Sequence, residues 1–98
     1  MSTEITTRFR VPANHPCLPG HFPGRPLVPG VVILDHVQQA IEQSAGPLGA
    51  LRLPQVKFLQ PLLPDVDADI AIEPTATGWQ FRVSAVGVVL ATGEMVRA

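Results

Sequence analysis

Tyrosine is absent from this 98-residue sequence, and tryptophan and cysteine occur once each. The single cysteine, Cys17, excludes an intrachain disulfide framework and a cysteine-built zinc site, and it fits a reducing compartment. Charge is also scarce, at 15% of residues, where about a quarter is usual for a free-standing surface. Seven Lys+Arg against eight Asp+Glu give a net charge of −1. The basic residues form no run, so nucleic acid is not an expected partner. No apolar stretch approaches the roughly 20 residues that span a bilayer. The opening MSTEITTRFR lacks the apolar core of a secretory leader. The expected setting is cytoplasmic and off the membrane. GxGxxG, Walker, HExxH and GxSxG patterns are missing, which leaves dinucleotide, nucleotide, zincin and serine-hydrolase readings unsupported.

What the chain does have is apolar content, 46% of residues, enough for a folded globule. The length bounds it to a single domain, residues 1–98, with a modest core. A small core under a surface poor in charge implies that a second subunit covers part of it.

Residues 5–11 alternate: Ile5, Thr7, Phe9 and Val11 share one face and Thr6, Arg8 and Arg10 the other, the pattern of a half-buried strand. Residues 12–30 hold six of the 11 prolines. Proline removes donors and restricts its predecessor, so this stretch is neither helix nor inner strand. Its apolar anchors Leu18, Phe22, Leu27 and Val28 favour a stiff, ordered loop, which is costly unless it positions something. Residues 31–45 form the one credible helix, with Ile33, Leu34, Val37, Ala40, Ile41, Ser44 and Ala45 on one face. Val31 and Val32 make its first turn apolar almost all round, so that turn is expected to be enclosed. Gly46-Pro47 stops it. Alternating runs at 54–60, 66–73 and 79–86, and a last segment at 88–96, read as about four strands, with tight turns that make neighbours antiparallel. One helix on one antiparallel sheet is a two-layer α+β unit.

The titratable candidates are His15, His21, His36 and Asp35. The three histidines follow no familiar metal spacing. His21 lies in the stiff loop, where an imidazole with a pKa near ~6.5 can act as a general base. A packing role is its bland alternative. Asp35 lies one turn into the helix, beside Val31 and Val32, where partial withdrawal from water would suit a general acid. An ordinary surface carboxylate is the competing reading. Gly30 precedes the helix, so its N–H belongs to the unpaired amino-terminal donors or lies next to them and can face an oxyanion. His36 points elsewhere on the wheel and reads as structural or solvent-facing.

The run His21-Phe22-Pro23-Gly24-Arg25-Pro26-Leu27-Val28-Pro29-Gly30-Val31-Val32-Ile33-Leu34-Asp35 resembles the signature of the β-hydroxyacyl–acyl carrier protein dehydratases. Val56-Lys57-Phe58, Pro61 and Pro64-Asp65 resemble that family's later strand, so the likeness covers about residues 8–97. The resemblance implies a hotdog fold, an antiparallel sheet wrapped around one long central helix. It implies a homodimer or dimer-based oligomer joined sheet edge to sheet edge, with sites at the subunit boundary. Carried over residue by residue, it makes His21 the base, Asp35 of the other subunit the acid and Gly30 the donor to the thioester carbonyl. No cofactor or metal is implied. The implied reaction is dehydration of a 3-hydroxyacyl thioester, borne on an acyl carrier protein, to the trans-2-enoyl thioester. Alternatives are a hotdog acyl thioesterase and a non-catalytic acyl-binding subunit. Arg25, Arg10 and Arg52 are candidates for meeting the acidic carrier. Three departures stand out: aspartate at 35 where glutamate is widespread, Pro64 at a position usually glycine, and a short chain.

Overall fold

The computed structural model describes residues 4–13 and 27–98. The alternating run near the amino terminus is strand β1 (Ile5–Phe9), whose Thr6 and Arg8 are exposed and whose Phe9 is buried. Helix α1 (Gly30–Ala45) follows. Pro29 immediately precedes it in extended backbone (φ −60°, ψ 145°), as a fixed proline φ allows. Gly46, at φ 83°, ends it and donates its N–H to the Glu42 carbonyl at 2.8 Å, a left-handed stop that glycine adopts without a Cβ penalty. Five strands complete the chain: β2 (Leu51–Arg52), β3 (Val56–Phe58), β4 (Ala68–Pro74), β5 (Gly78–Ala85) and β6 (Val88–Arg97).

The sheet runs β1-β4-β5-β6 with every pair antiparallel, and β2 and β3 both lie along the far side of β6. Period-two alternation sends Ala68, Ile70 and Ile72 of β4, and Trp79, Phe81, Val83 and Ala85 of β5, into the core. There they join Ile33, Val37, Ala40 and Ile41 of α1 in one cluster. A single long helix wrapped by an antiparallel sheet is the hotdog fold. On the opposite face, Arg8 Nε bonds Asp69 Oδ1 at 2.9 Å and Arg10 Nε bonds Asp67 Oδ1 at 2.8 Å. The hydrogen bond and charge of Arg10 hold the Asp67 carboxyl below its ordinary pKa.

Three local irregularities shape the edges. Arg52 stands opposite Val96, yet Val56 stands opposite Gly93 rather than Thr92, so one extra residue is absorbed at Leu53–Gln55, where Pro54 sits. The Gln55 carbonyl accepts from Glu94 N–H at 2.9 Å. A Cβ at Gly93 would fall 2.6 Å from that carbonyl oxygen, so the bulge requires glycine opposite it. At the β5–β6 turn, Val86 adopts φ 51° while 89% exposed. In the turn after Pro64 the left-handed residue is Asp65 (φ 62°), an allowance aspartate has and proline lacks.

Two expectations about α1 are corrected. Ser44 and Ala45 are exposed, because the core contact ends with Ile41 and the last turn runs past it. The first turn is not enclosed among the described residues: Val31 is 72% exposed, and Asp35 beyond it is exposed. The helix buries Ile33 and Val37 in the core, and Val31 and Asp35 stand exposed at its margin.

Candidate functional site

The amino-terminal end of α1 gathers the described candidates. Pro29 supplies no N–H and makes no side-chain cap for the helix. Val32 and Ile33 both direct their N–H groups to the Pro29 carbonyl, at 3.0 and 3.4 Å. Gly30 and Val31 precede the first residues that such a bond can reach, so their N–H groups are among the orphan donors of the helix end, backed by the helix dipole. The Phe58 ring covers Gly30, and a Cβ there would lie 2.6 Å from Cζ. Gly30 and Phe58 open on a hollow of about 310 Å³ whose other walls include Val28, Ile33, Leu59 and Leu62. The Val28 N–H bond to the Leu62 carbonyl, at 2.9 Å, ties the chain entering the helix to the loop after β3.

Asp35 belongs to a different hollow. With Val31, Leu34, Leu51, Leu53 and Met95 it lines a space of about 340 Å³. Among the described residues, none lines both hollows. Gln39 Nε2 donates to Asp35 Oδ2 at 2.8 Å, fixing the carboxylate on the helix surface. Gln39 is the polar neighbour that the sequence reading overlooked. Its signal was there, since residues four apart on a helix face each other.

His21, His15, Cys17 and Arg25 lie outside the described residues. His36 is half-buried and stacks on Phe9, with centroids 4.3 Å apart and planes at 14°, in keeping with a structural role. Of the candidate carrier-facing arginines, Arg10 is engaged by Asp67 and Arg52 is exposed in β2. Arg97 lies over the Trp79 ring at 5.0 Å.

Residues 1–94 match the family model described as ApeI-like, ApeI dehydratase. A 3-hydroxyacyl-[acyl-carrier-protein] dehydratase FabZ from Haemophilus influenzae is 32% identical over 72 residues, covering 64% of this chain and 49% of that protein. The chain thus spans about half the length of the first curated relatives it matches. The dehydratase heterocomplex ApeI:P from Xenorhabdus doucetiae has a similar fold, with a TM-score of 0.84 at 22% identity over 98% of this chain and 92% of that one. A point mutant of the fluoroacetyl-CoA-specific thioesterase FlK is similar in fold too, with a TM-score of 0.73 at 13% identity over 96% of this chain and 82% of that one. No described helix is long and apolar enough to cross a membrane. With the hotdog architecture in place and the family model matched along nearly the whole sequence, the chain belongs to the ApeI-like dehydratase family.

Proposed function

We propose that this chain dehydrates a 3-hydroxyacyl thioester, presented on an acyl carrier protein, to the trans-2-enoyl thioester, in a site built from two subunits. One observation carries the reading: Gly30 and Asp35 sit within one turn and a half of the same helix yet open on separate apolar hollows. A complete site then combines the Gly30 hollow of one protomer with the Asp35 hollow of another. The exposure of Val31 and Asp35 in the single chain supports the same pairing.

In this reading the thioester carbonyl accepts from Gly30 N–H, which favours charge developing on its oxygen. His21 takes the proton from C2. The electrons of that C–H bond form the C2=C3 double bond as the C3–O bond breaks. Asp35 gives a proton to the departing hydroxyl, which leaves as water. Gln39, bonded to Asp35, acts as a positioning residue. The partner is read as a second copy of this chain, and a different chain is the other candidate, since the similar Xenorhabdus doucetiae structure is a dehydratase heterocomplex.

The test is mass analysis of carrier-bound 3-hydroxyacyl substrates after incubation with the protein. Loss of one water per acyl group is expected, and His21→Ala or Asp35→Asn should each lower the rate about 10²-fold or more. Mixing the two variants should restore part of the activity, because a mixed pair keeps one intact site. Release of free acid in place of the enoyl product would support the thioesterase alternative that the shared fold allows. Near-parental turnover by both folded variants would refute the residue assignments.

A further inference from the structure

We infer that Phe58 is a specificity-determining residue: its ring is the wall that excludes substituents at C2 of the acyl group, which restricts the site to thioesters unbranched beside the carbonyl. This inference rests on the proposed use of the Gly30 N–H as the carbonyl donor. Phe58 is the last residue of β3 and is paired across the ladder with Ala91. Its ring reaches the helix and lies against Gly30, with Cζ, Cε1 and Cε2 at 2.6, 3.0 and 3.0 Å from where a Cβ would stand. A neighbour this close makes Gly30 and Phe58 one surface: the glycine has no side chain because the ring occupies its place.

Two further observations give the ring a role beyond filling space. It is 52% exposed, so about half of a large apolar side chain faces outward into the hollow rather than into the core. Its other described walls are mostly apolar, Val28, Ile33, Leu59, Pro61 and Leu62, with Gln60 the one polar side chain among them, which suits an acyl chain. A thioester oxygen at hydrogen-bond distance from the Gly30 N–H, about 2.9 Å, places the carbonyl carbon and C2 beside the residue that the ring covers. A methyl group on C2 then meets an aromatic edge already in contact with backbone on its other side. The edge has no room to retreat toward the helix, because the Gly30 backbone is there.

The experiment compares straight-chain and 2-methyl-3-hydroxyacyl thioesters of equal main-chain length on the wild type, Phe58→Leu and Phe58→Ala. Discrimination of one methyl in an apolar pocket is about 10–200-fold. The wild type should therefore favour the straight chain by ten-fold or more in kcat/KM, and Phe58→Ala should reduce that ratio at least five-fold, with Phe58→Leu between them. A ratio that stays constant while both rates fall together would mark Phe58 as merely structural and overturn the inference. A wild type with no preference would overturn it as well. Binding of the two saturated, non-hydroxylated acyl thioesters is measured in parallel by calorimetry, which needs no turnover. If the wild type binds both equally, the wall is refuted. If it prefers the straight chain and Phe58→Ala loses the preference without any dehydration being seen, the wall stands and the reaction assignment falls. Should Phe58→Ala fail to fold, the same comparison on Phe58→Leu decides the matter.

Discussion

Val86 offers a direct measure of backbone strain in this fold. It stands at φ 51° in the β5–β6 turn, followed by Gly87 at φ 75°. Left-handed backbone costs an L-residue roughly 1–2 kcal/mol, and β-branched residues are genuine outliers there. Its side chain is 89% exposed, so little burial is lost on replacing it. Asparagine is tolerated in this conformation, and Asn-Gly is a favoured pair in two-residue hairpin turns. Val86→Asn should therefore stabilise the protein by about 1 kcal/mol, which for a domain of this size corresponds to a rise of about 4–8 °C in Tm. Val86→Gly relieves the same strain but gives back about 0.5–1 kcal/mol through the greater freedom of the unfolded chain, so it should gain less than half as much. The assay is thermal and urea denaturation at one fixed protein concentration, since subunit association would otherwise shift the midpoint. The urea slope should not change, because the folded and unfolded surfaces are nearly the same. An asparagine variant no more stable than the wild type would refute the strain argument. So would a glycine variant more stable than the asparagine one.

Other expectations concern the site and the sheet. Gly30→Ala forces the Phe58 ring to move; because that ring is half-exposed it has somewhere to go, so Tm should change by only a few degrees while turnover falls ten-fold or more, and equal turnover would remove Gly30 from the site. Gln39→Leu deletes one exposed hydrogen bond to Asp35, so the melting temperature should barely move. The rate should drop several-fold with KM little changed, a kcat-against-KM split that a structural role would not produce. Arg10 depresses the pKa of Asp67, so this carboxylate stabilises the fold above the ordinary carboxylate range near pH ~4, and the contribution is lost as pH falls through the lower folded value. Arg10→Ala should make the acid limb of the stability curve slightly shallower, and superimposable limbs would show that solvent screening cancels the pair.

The strands β1, β4 and β5, and most of the helix, were legible because their apolar residues keep one period, whereas β6 buries adjacent pairs, Leu90–Ala91 and Met95–Val96, and shows in the sequence only as an apolar run after a turn. Ile70 and Ile72 or Trp79, Phe81 and Val83 leave no other register that buries them. β2 was not legible, since Leu51 and Arg52 carry no period at all and pair only because Arg97 and Val96 pass alongside. The bulge at Leu53–Gln55 and the absence of a side chain at Gly93 are likewise settled by long-range contact. The helix start shows a different gap. An apolar first turn suggests an enclosed one, but Val31 is largely exposed beside Leu51 and Leu53 at the sheet margin: periodicity reports that a side chain avoids water and says nothing about which body shelters it. Asp35 and Gly30 were picked out as candidates from the sequence, whereas their division between two hollows is a property of the surrounding strands. Phe58 shows the same limit, because alternation gave it a face and nothing local revealed that the face ends on Gly30.

Pro54 has a consequence for how this sheet meets another. A strand laid beside a free edge can usually slide by two residues without exchanging its faces. Among the described residues this edge offers two short stretches, Leu51–Arg52 and Val56–Phe58, parted by three residues of which Pro54 has no amide hydrogen to give. Sliding would set that gap against a carbonyl in need of a donor and would push the bulge into the newcomer's backbone. An incoming strand thus finds one seating along this border, and indefinite side-by-side growth lacks the continuous template that fibres require.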